Sequence, residues 1–280
     1  MARRRLADER TSRLATWARR CAWFSLAATV LAVVIVRAGF VDVVPGLATL
    51  AGSLLFAVFA IVLALGALAV IWREGINGAG HAFAAIAIGA ALLAYPAYLG
   101  QRAYRLPMIN DITTDALDPP RFEVLARLRP RGTVEYAGLY AAEQQRLAYP
   151  DIEPLQVSAT PQVAYEEAIK VIAKRKWRVW VERPPQPGSR DGQIEAVART
   201  AIMGFRDDVV LRIRVDTDGA RIDMRSASRY GRHDFGANAA RIRSLLEDIE
   251  EAINLRTEQQ DRRDRRTTKP AAKAPQPAKR

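Results

Sequence analysis

Arg225, Ser226, Ser228, Arg229, Arg232, Asp234, Asn238 and Arg241 crowd a short stretch around Gly231 and Gly236, just ahead of residues with helical periodicity. A helix N-terminus offers unpaired N–H groups and a partial positive charge, and guanidinium groups beside it clamp a phosphate or carboxylate through paired hydrogen bonds. Together with Arg206, the set Arg225, Ser226, Ser228, Arg229, Asn238 and Arg241 is therefore a candidate anion-binding site. The same residues also fit a structural reading. In that reading Asp234 caps the helix, Gly231 and Gly236 make the turn, and Asp207 or Asp208 pairs with an arginine, so that Asp207, Asp208 and Asp234 form a structural polar network.

Other chemistries find less support. His233 has no second histidine or cysteine in the charged part of the chain, so no metal site is expected. Ser226 and Ser228 lack an evident histidine base and sit in no G-x-S-x-G elbow. No phosphate-cradling glycine loop occurs, and no cofactor is expected. These gaps point away from an enzyme without settling the matter. The rival reading is a membrane-tethered enzyme acting on an envelope substrate, with Asp207, Asp208 or Asp234 as acid or base. A third is a structural subunit of a membrane complex. Trp177 and Trp180, flanked by Lys174 and Lys176, resemble a basic-aromatic patch, but their odd spacing in a strand sends them to opposite faces.

The elements that must position these residues are legible over 157–255. Ser158-Ala159-Thr160-Pro161 is a helix start, followed by the apolar stripe Val163, Ala164, Ala168, Ile169 and Ile172. Four strand-like segments follow, Trp177 to Glu182, Gln193 to Thr200, Val209 to Thr217 and Ala220 to Ala227. In the third, Val209, Leu211, Ile213 and Val215 alternate with Val210, Arg212, Arg214 and Asp216, which predicts one buried and one mostly wet face. Asp218-Gly219 signals a tight hairpin. From Ala237 onward Ile242, Leu245, Leu246, Ile249 and Ile253 mark a second amphipathic helix. The order α-β-β-β-β-α predicts an α+β domain, an antiparallel sheet covered on one face by two helices.

Several motifs in this region carry a family resemblance. They are Ile109-Asn110-Asp111-Ile112-Thr113-Thr114-Asp115, Pro119-Pro120-Arg121-Phe122, Tyr149-Pro150-Asp151-Ile152, Ile194-Glu195-Ala196, Phe205-Arg206-Asp207-Asp208-Val209, Arg225 to Gly231, and Asp234-Phe235-Gly236-Ala237-Asn238. In this order they resemble domain-of-unknown-function family 1499, found in bacterial membrane-anchored proteins and in plants, over about residues 107 to 250. The resemblance implies an architecture and no reaction. Where a member of that family often has histidine after the first isoleucine, this chain has Asn110, which cannot serve in proton transfer.

The first hundred residues are of another kind. Apolar runs at 21–40, 46–72 and 80–99 are read as membrane-spanning helices, which need about 20 residues each. The first is short and interrupted by Arg37, and the basic residues ahead of it also suit a secretory signal, but no small-x-small cleavage site follows, which favours an uncleaved span. His81 and Glu74 fall in the short loop between the second and third runs or at its edge, too shallow for a transport pathway. Ala85 and Gly89 are spaced for close helix contact.

Net charge is +12, but residues 1–20 contribute seven Arg against Asp8 and Glu9, and residues 256–280 nine Lys or Arg against three acids. The 235 residues between carry +1. Basicity thus belongs to the termini, and a nucleic-acid partner is not expected. Arginines near the run ends favour a cytoplasmic N-terminus, because an excess of cations marks the inner side. Three spans then put the remainder outside, in the periplasm of a bacterial inner-membrane protein. The only cysteine, Cys21, lies in the first run and allows no disulfide within the chain.

The expected organisation is a basic cytoplasmic N-terminus at 1–20, three spans within 21–100, an extended stalk leading into the domain at 101–156, the α+β domain at 157–255 and a disordered basic tail at 256–280. Membrane lipids are expected partners, together with an anionic or lipid-like ligand or an envelope protein.

Overall fold

The computed structural model describes residues 10–129, 138–186, 188 and 191–267. They divide into two compact units, one comprising residues up to Met108 with Arg199–Arg206, the other Ile109–Ala198 with the chain from Asp207 onward.

The first unit is built on three helices, α1 (Arg13–Ala38), α2 (Val43–Glu74) and α3 (Ala79–Arg105), each long and apolar enough to cross a membrane. Short connections make neighbours antiparallel. Helix α1 starts earlier than its apolar run because Ser12 caps it, its hydroxyl accepting from the Ala15 N–H at 3.3 Å. It ends at Gly39, where φ of +82° turns the chain back. Arg10–Ser12 hydrogen-bonds with Asn77 in the α2–α3 connection, so the N-terminal end of α1 and that loop share one end of the bundle.

The interior of the bundle is small and its exterior large. Ala15, Ala18, Ala22, Ala60, Ala64, Ala67, Ala82 and Ala85 form the buried seam, while Trp23, Phe24, Leu55, Phe59 and Val62 face outward. That inversion of a water-soluble bundle suits lipid, where close packing of small residues holds helices together. At Gly89 an added Cβ would come within 2.6 Å of Ile61. The Ser25 hydroxyl donates to the Ser53 carbonyl at 2.6 Å, a polar tie between α1 and α2.

The second unit is α+β. Its antiparallel strands are β1 (Asp111–Thr113), β2 (Leu155–Val157), β3 (Arg178–Arg183), β4 (Gly192–Arg199), β5 (Arg206–Asp216) and β6 (Gly219–Ser228), ordered β1-β6-β5-β4-β3 with β2 also on β6. Helices α5 (Pro161–Lys174) and α6 (Ala237–Thr267) pack on each other and on β6, and α4 (Gly138–Ala148) lies against β1. Cross-strand pairs Leu211↔Met224 and Ile213↔Ile222 supply the sheet side of the core, with Ile172, Ile242, Leu245 and Ile249 among its fully buried side chains. Burial of each such side chain stabilises the fold by about 1.5–3 kcal/mol.

The structure departs from the sequence reading in four places. Residues 109–156, within the stretch 101–156 read as an extended stalk and domain entry, supply β1, α4, the first two residues of β2 and a 3-10 turn at Leu125–Leu128. Strands β1 and β2 lie end to end along the outer edge of β6, pairing Ile112↔Ser226 and Gln156↔Arg221. The face of β5 expected to be wet is covered, with Val210 buried and Arg212 and Arg214 half-buried, whereas Val215 is 81% exposed.

Helix α6 continues to Thr267, into the stretch read as disordered. Arg256 there bonds to Glu166 and Glu167 of α5 at 2.7 and 2.8 Å, and Glu258 and Arg262 are spaced i,i+4 at 3.6 Å. The rest of that tail, 268–280, lies outside the described residues.

The hairpin turn is Thr217-Asp218, both with negative φ, and Gly219 begins β6 at φ +148°. A Cβ at Gly219 would stand 2.2 Å from the Val157 carbonyl oxygen. Glycine is needed there so that β2 can approach. Gly219→Ala is expected to destabilise the domain by about 1–3 kcal/mol, read by urea unfolding followed through tryptophan fluorescence.

Candidate functional site

Strand alternation divides the polar stretch at the end of β6 between two faces of the sheet. Ser226 and Ser228 stand opposite Val209 and Asp207 on the helix side, whereas Arg225 and Ala227 stand opposite Val210 and Asp208 on the other. Residues adjacent in sequence therefore join separate networks.

On the helix side, Asn238 in the first turn of α6 is the hub. Its amide donates to the Asn110 carbonyl and to the Ser228 hydroxyl, each at 3.0 Å, and its carbonyl accepts from Ser226 at 2.8 Å. Arg241, one turn later, donates to Ser226 at 2.9 Å and to Asn238 at 2.5 Å, and forms an ion pair with Asp207. Asp234 caps the helix, accepting from the Gly236 and Asn238 N–H groups at 2.8 and 2.9 Å. The Asn110 amide ties the loop from below by donating to the Gly231 carbonyl at 2.7 Å.

Ser226, Asn238 and Asp207 are all buried. Burial pushes the Asp207 carboxyl above its ordinary range, and the Arg241 charge with hydrogen bonds from Ser228 and Arg241 offsets this only in part. Burial raises Asp234 likewise, against the N–H groups that it accepts.

On the opposite face Asp208 has no solvent exposure and holds two guanidinium groups. Arg229, itself 5% exposed, donates Nε and Nη2 to one carboxylate oxygen at 2.8 and 2.7 Å, and Arg129 donates Nε to the other at 3.0 Å. Arg225 makes a two-pronged pair with Asp111 at 2.9 and 2.7 Å. The ring of Phe122 lies under both Arg129 and Arg225, at 5.0 and 4.9 Å from their guanidinium carbons. Arg206 is exposed and joins none of these bonds, and the same holds for Arg232. Arg225, Arg229 and Arg241 thus each face a carboxylate already, and an added anion would compete with Asp111, Asp208 or Asp207.

Three further polar features were not singled out by residue type and spacing. Glu195, fully buried in β4, accepts from the N–H groups of Glu123, Val124 and Leu125 at 2.5, 3.1 and 2.9 Å and so anchors the covering segment. An acid inside the run Ile194 to Ala198 was the available signal. Gln145 of α4 brackets Thr113, accepting from its N–H at 3.0 Å and donating to its carbonyl at 2.6 Å, as a neighbouring strand would.

Asp115 and Asp223 lie among Arg212, Arg214 and Arg221. Burial alone would raise Asp115, but the Asp118 and Leu117 N–H groups with the charges of Arg221 and Arg212 hold it below the ordinary carboxylate range.

Beside this charged face opens a groove of 1030 Å³ between the 118–123 segment, the start of α5 and strand β5. Pro161, Pro185 and Val215 give it apolar surface, Arg121, Arg183, Arg212 and Arg214 give it cations, and Asp118, Glu123 and Asp191 give it carboxylates. Arg183 pairs with Glu123 at 2.6 Å, while Arg121 is exposed and has no ion-pair partner among the described residues. Asp207, Asp208 and Asp234 do not line it. His233 accepts from the Phe235 N–H through Nδ1 at 2.9 Å and stacks on that ring at 4.6 Å, away from any group of three metal-liganding side chains among the described residues.

No curated protein and no solved structure matches the chain. A family model does, over residues 111–249, which begin at β1 and end within α6, and so take in the sheet, α5, the first part of α6 and the networks above except Asn110. The folded domain that follows the three apolar helices belongs to the family described as protein of unknown function (DUF1499).

Proposed function

We propose that this chain is a membrane-anchored binding module whose α+β domain takes an anionic amphiphile in the groove beside Arg121. One observation carries the reading: the groove combines apolar and cationic side chains, and Arg121 has no ion-pair partner among the described residues. An apolar cleft with a few charges fixing orientation is the usual form of a small-ligand site. The Arg225 to Arg241 region serves instead as a fastener that joins the end of β6, the loop and α6, its arginines being engaged with Asp111, Asp208 and Asp207. The carboxylates on the groove are Asp118 and Glu123, paired with Arg212 and Arg183, and the exposed Asp191, whereas Asp207, Asp208 and Asp234 stand elsewhere.

Retention of ligand by the purified full-length chain tests this, read by native mass spectrometry. Wild type is expected to carry an anionic amphiphile that Arg121→Glu and Val215→Asp lose, because the first inverts the free charge and the second charges the apolar wall. Equal retention by all three proteins would contradict the groove.

The anchor is read as three spans of a bacterial inner membrane, with the N-terminus cytoplasmic and the domain periplasmic. Support comes from the arginines. Among the described residues Arg10, Arg13 and Arg73 lie toward one end of the bundle, against Arg37, Arg102 and Arg105 toward the other, and the sequence adds Arg3, Arg4 and Arg5 ahead of the first helix. Alkaline phosphatase fused after Arg280 is expected to be active, and an inactive, stably expressed fusion would reverse the orientation.

A further inference from the structure

The β4–β5 connection, Thr200-Ala201-Ile202-Met203-Gly204-Phe205, carries no charged residue, yet the exposed Arg199 and Arg206 flank it immediately. It groups with the three apolar helices in the first compact unit. Within the connection the chain is closed on itself. The Thr200 N–H donates to the Phe205 carbonyl and the Phe205 N–H to the Thr200 hydroxyl, both at 2.9 Å, and Gly204 turns at φ +69°.

Arg37, in the last turn of α1, donates Nη1 to the Ala201, Ile202 and Thr200 carbonyls at 2.7, 3.2 and 3.4 Å. A Cβ at Gly204 would stand 3.1 Å from the Arg37 side chain. The turn itself satisfies the Thr200 carbonyl through the Gly204 N–H at 3.1 Å, and the guanidinium supplies a donor to the Ala201 and Ile202 carbonyls at its tip. Ile202 is nonetheless 40% exposed, and Ala201 beside it is exposed too, so the tip presents apolar surface outward while its polar backbone is held inward.

We infer that this tip is a lipid-contacting element, seated at the boundary between headgroups and acyl chains, with Arg199 and Arg206 reaching lipid phosphates. The inference rests on the reading of α1 to α3 as membrane spans. A cation at the last turn of a span sits at headgroup level, its stem in the apolar layer. Whatever Arg37 grips is held at that depth. Phe40 and Tyr104, both highly exposed at the same end of the helices, are the aromatic residues expected at such a boundary. An uncharged tip between two cations matches that layer in polarity from inside to outside.

The test labels the full-length chain with an environment-sensitive fluorophore in phosphatidylcholine–phosphatidylglycerol vesicles, on a Cys21→Ser background that removes the only native thiol. Probes at Ile202→Cys and Ala201→Cys are compared with Phe59→Cys, at the middle of α2, and Val215→Cys, in the domain. The expected result is that the 201 and 202 labels are quenched by lipids brominated near the headgroup and shielded from aqueous iodide. The 59 label should be quenched by lipids brominated deep in the chain, and the 215 label by iodide alone. Replacement of Arg37 by Ala should shift the tip labels to the pattern at 215. Iodide quenching of both tip labels as strong as at 215, with the 59 label still buried in lipid, would overturn the inference and leave the anchor intact. Iodide quenching at 59 would overturn the anchor, and the inference with it. Lipid quenching unchanged by Arg37→Ala would overturn the role given to that side chain.

Discussion

Asp208→Ala should lower the stability of the α+β domain by about 3–5 kcal/mol, the scale for removing one partner from a buried ion pair. Asp208 is fully buried between Arg129 and Arg229, and its two oxygens receive three charge-assisted hydrogen bonds. Alanine removes the carboxylate that two guanidinium groups share in a site nearly closed to water. Domains are stable by only about 5–15 kcal/mol in total, so the variant should be close to unfolding at physiological temperature. Arg229→Ala should cost less, because Arg129 still neutralises the carboxylate. Urea unfolding of the full-length chain, followed through Trp177 and Trp180, measures both. An Asp208→Ala midpoint equal to that of wild type would show that the pair is not buried in solution.

Glu195→Ala should be comparably severe and more local in its effect. The three N–H groups that Glu195 holds belong to consecutive residues, Glu123 to Leu125, at the start of the 3-10 turn. No helical hydrogen bond is open to those groups, and each buried donor left without an acceptor costs about 1–3 kcal/mol. Loss of the carboxylate should free the segment that carries Phe122, on which Arg129 and Arg225 stack. Amide hydrogen exchange reads this directly. Protection at 123–125 should collapse in Glu195→Ala and partly survive in Glu195→Gln, whose amide oxygen remains an acceptor. Unchanged protection in the alanine variant would mean that the segment is held by other contacts.

Much of the fold was legible because long elements repeat their pattern. The period of Ile242, Leu245, Ile249 and Ile253 and the Thr160-Pro161 start located both helices that cover the sheet. The alternation in 209–215 gave the central strand. Strands β1 and β2, three residues each, are too short for any periodicity and exist only because the edge of β6 offers them partners. The last turns of α6 were obscured by composition. Arg256 is drawn in by Glu166 and Glu167, whose proximity no local pattern reveals.

The site was legible as a set of residues but not as a geometry. Arg225 and Ser226 look like neighbours in one loop, yet they lie on a strand and point to opposite faces, one toward Asp111 and Phe122 and the other toward Asn238. Arg121 was legible only as part of the motif Pro119 to Phe122, because nothing near it in sequence suggests a cleft. The groove arises from the start of α5, the covering segment and β5, which only the folded chain brings together.

The division between fastener and groove is decided by ligand retention set against thermal stability in two single variants. Arg121→Glu should lose the bound anionic amphiphile while its melting temperature stays at the wild-type value. Arg229→Ala should melt at a lower temperature while its folded fraction keeps the ligand at wild-type stoichiometry. The reverse pattern, with ligand lost from folded Arg229→Ala and kept by Arg121→Glu, would return the binding site to the Arg225 to Arg241 region.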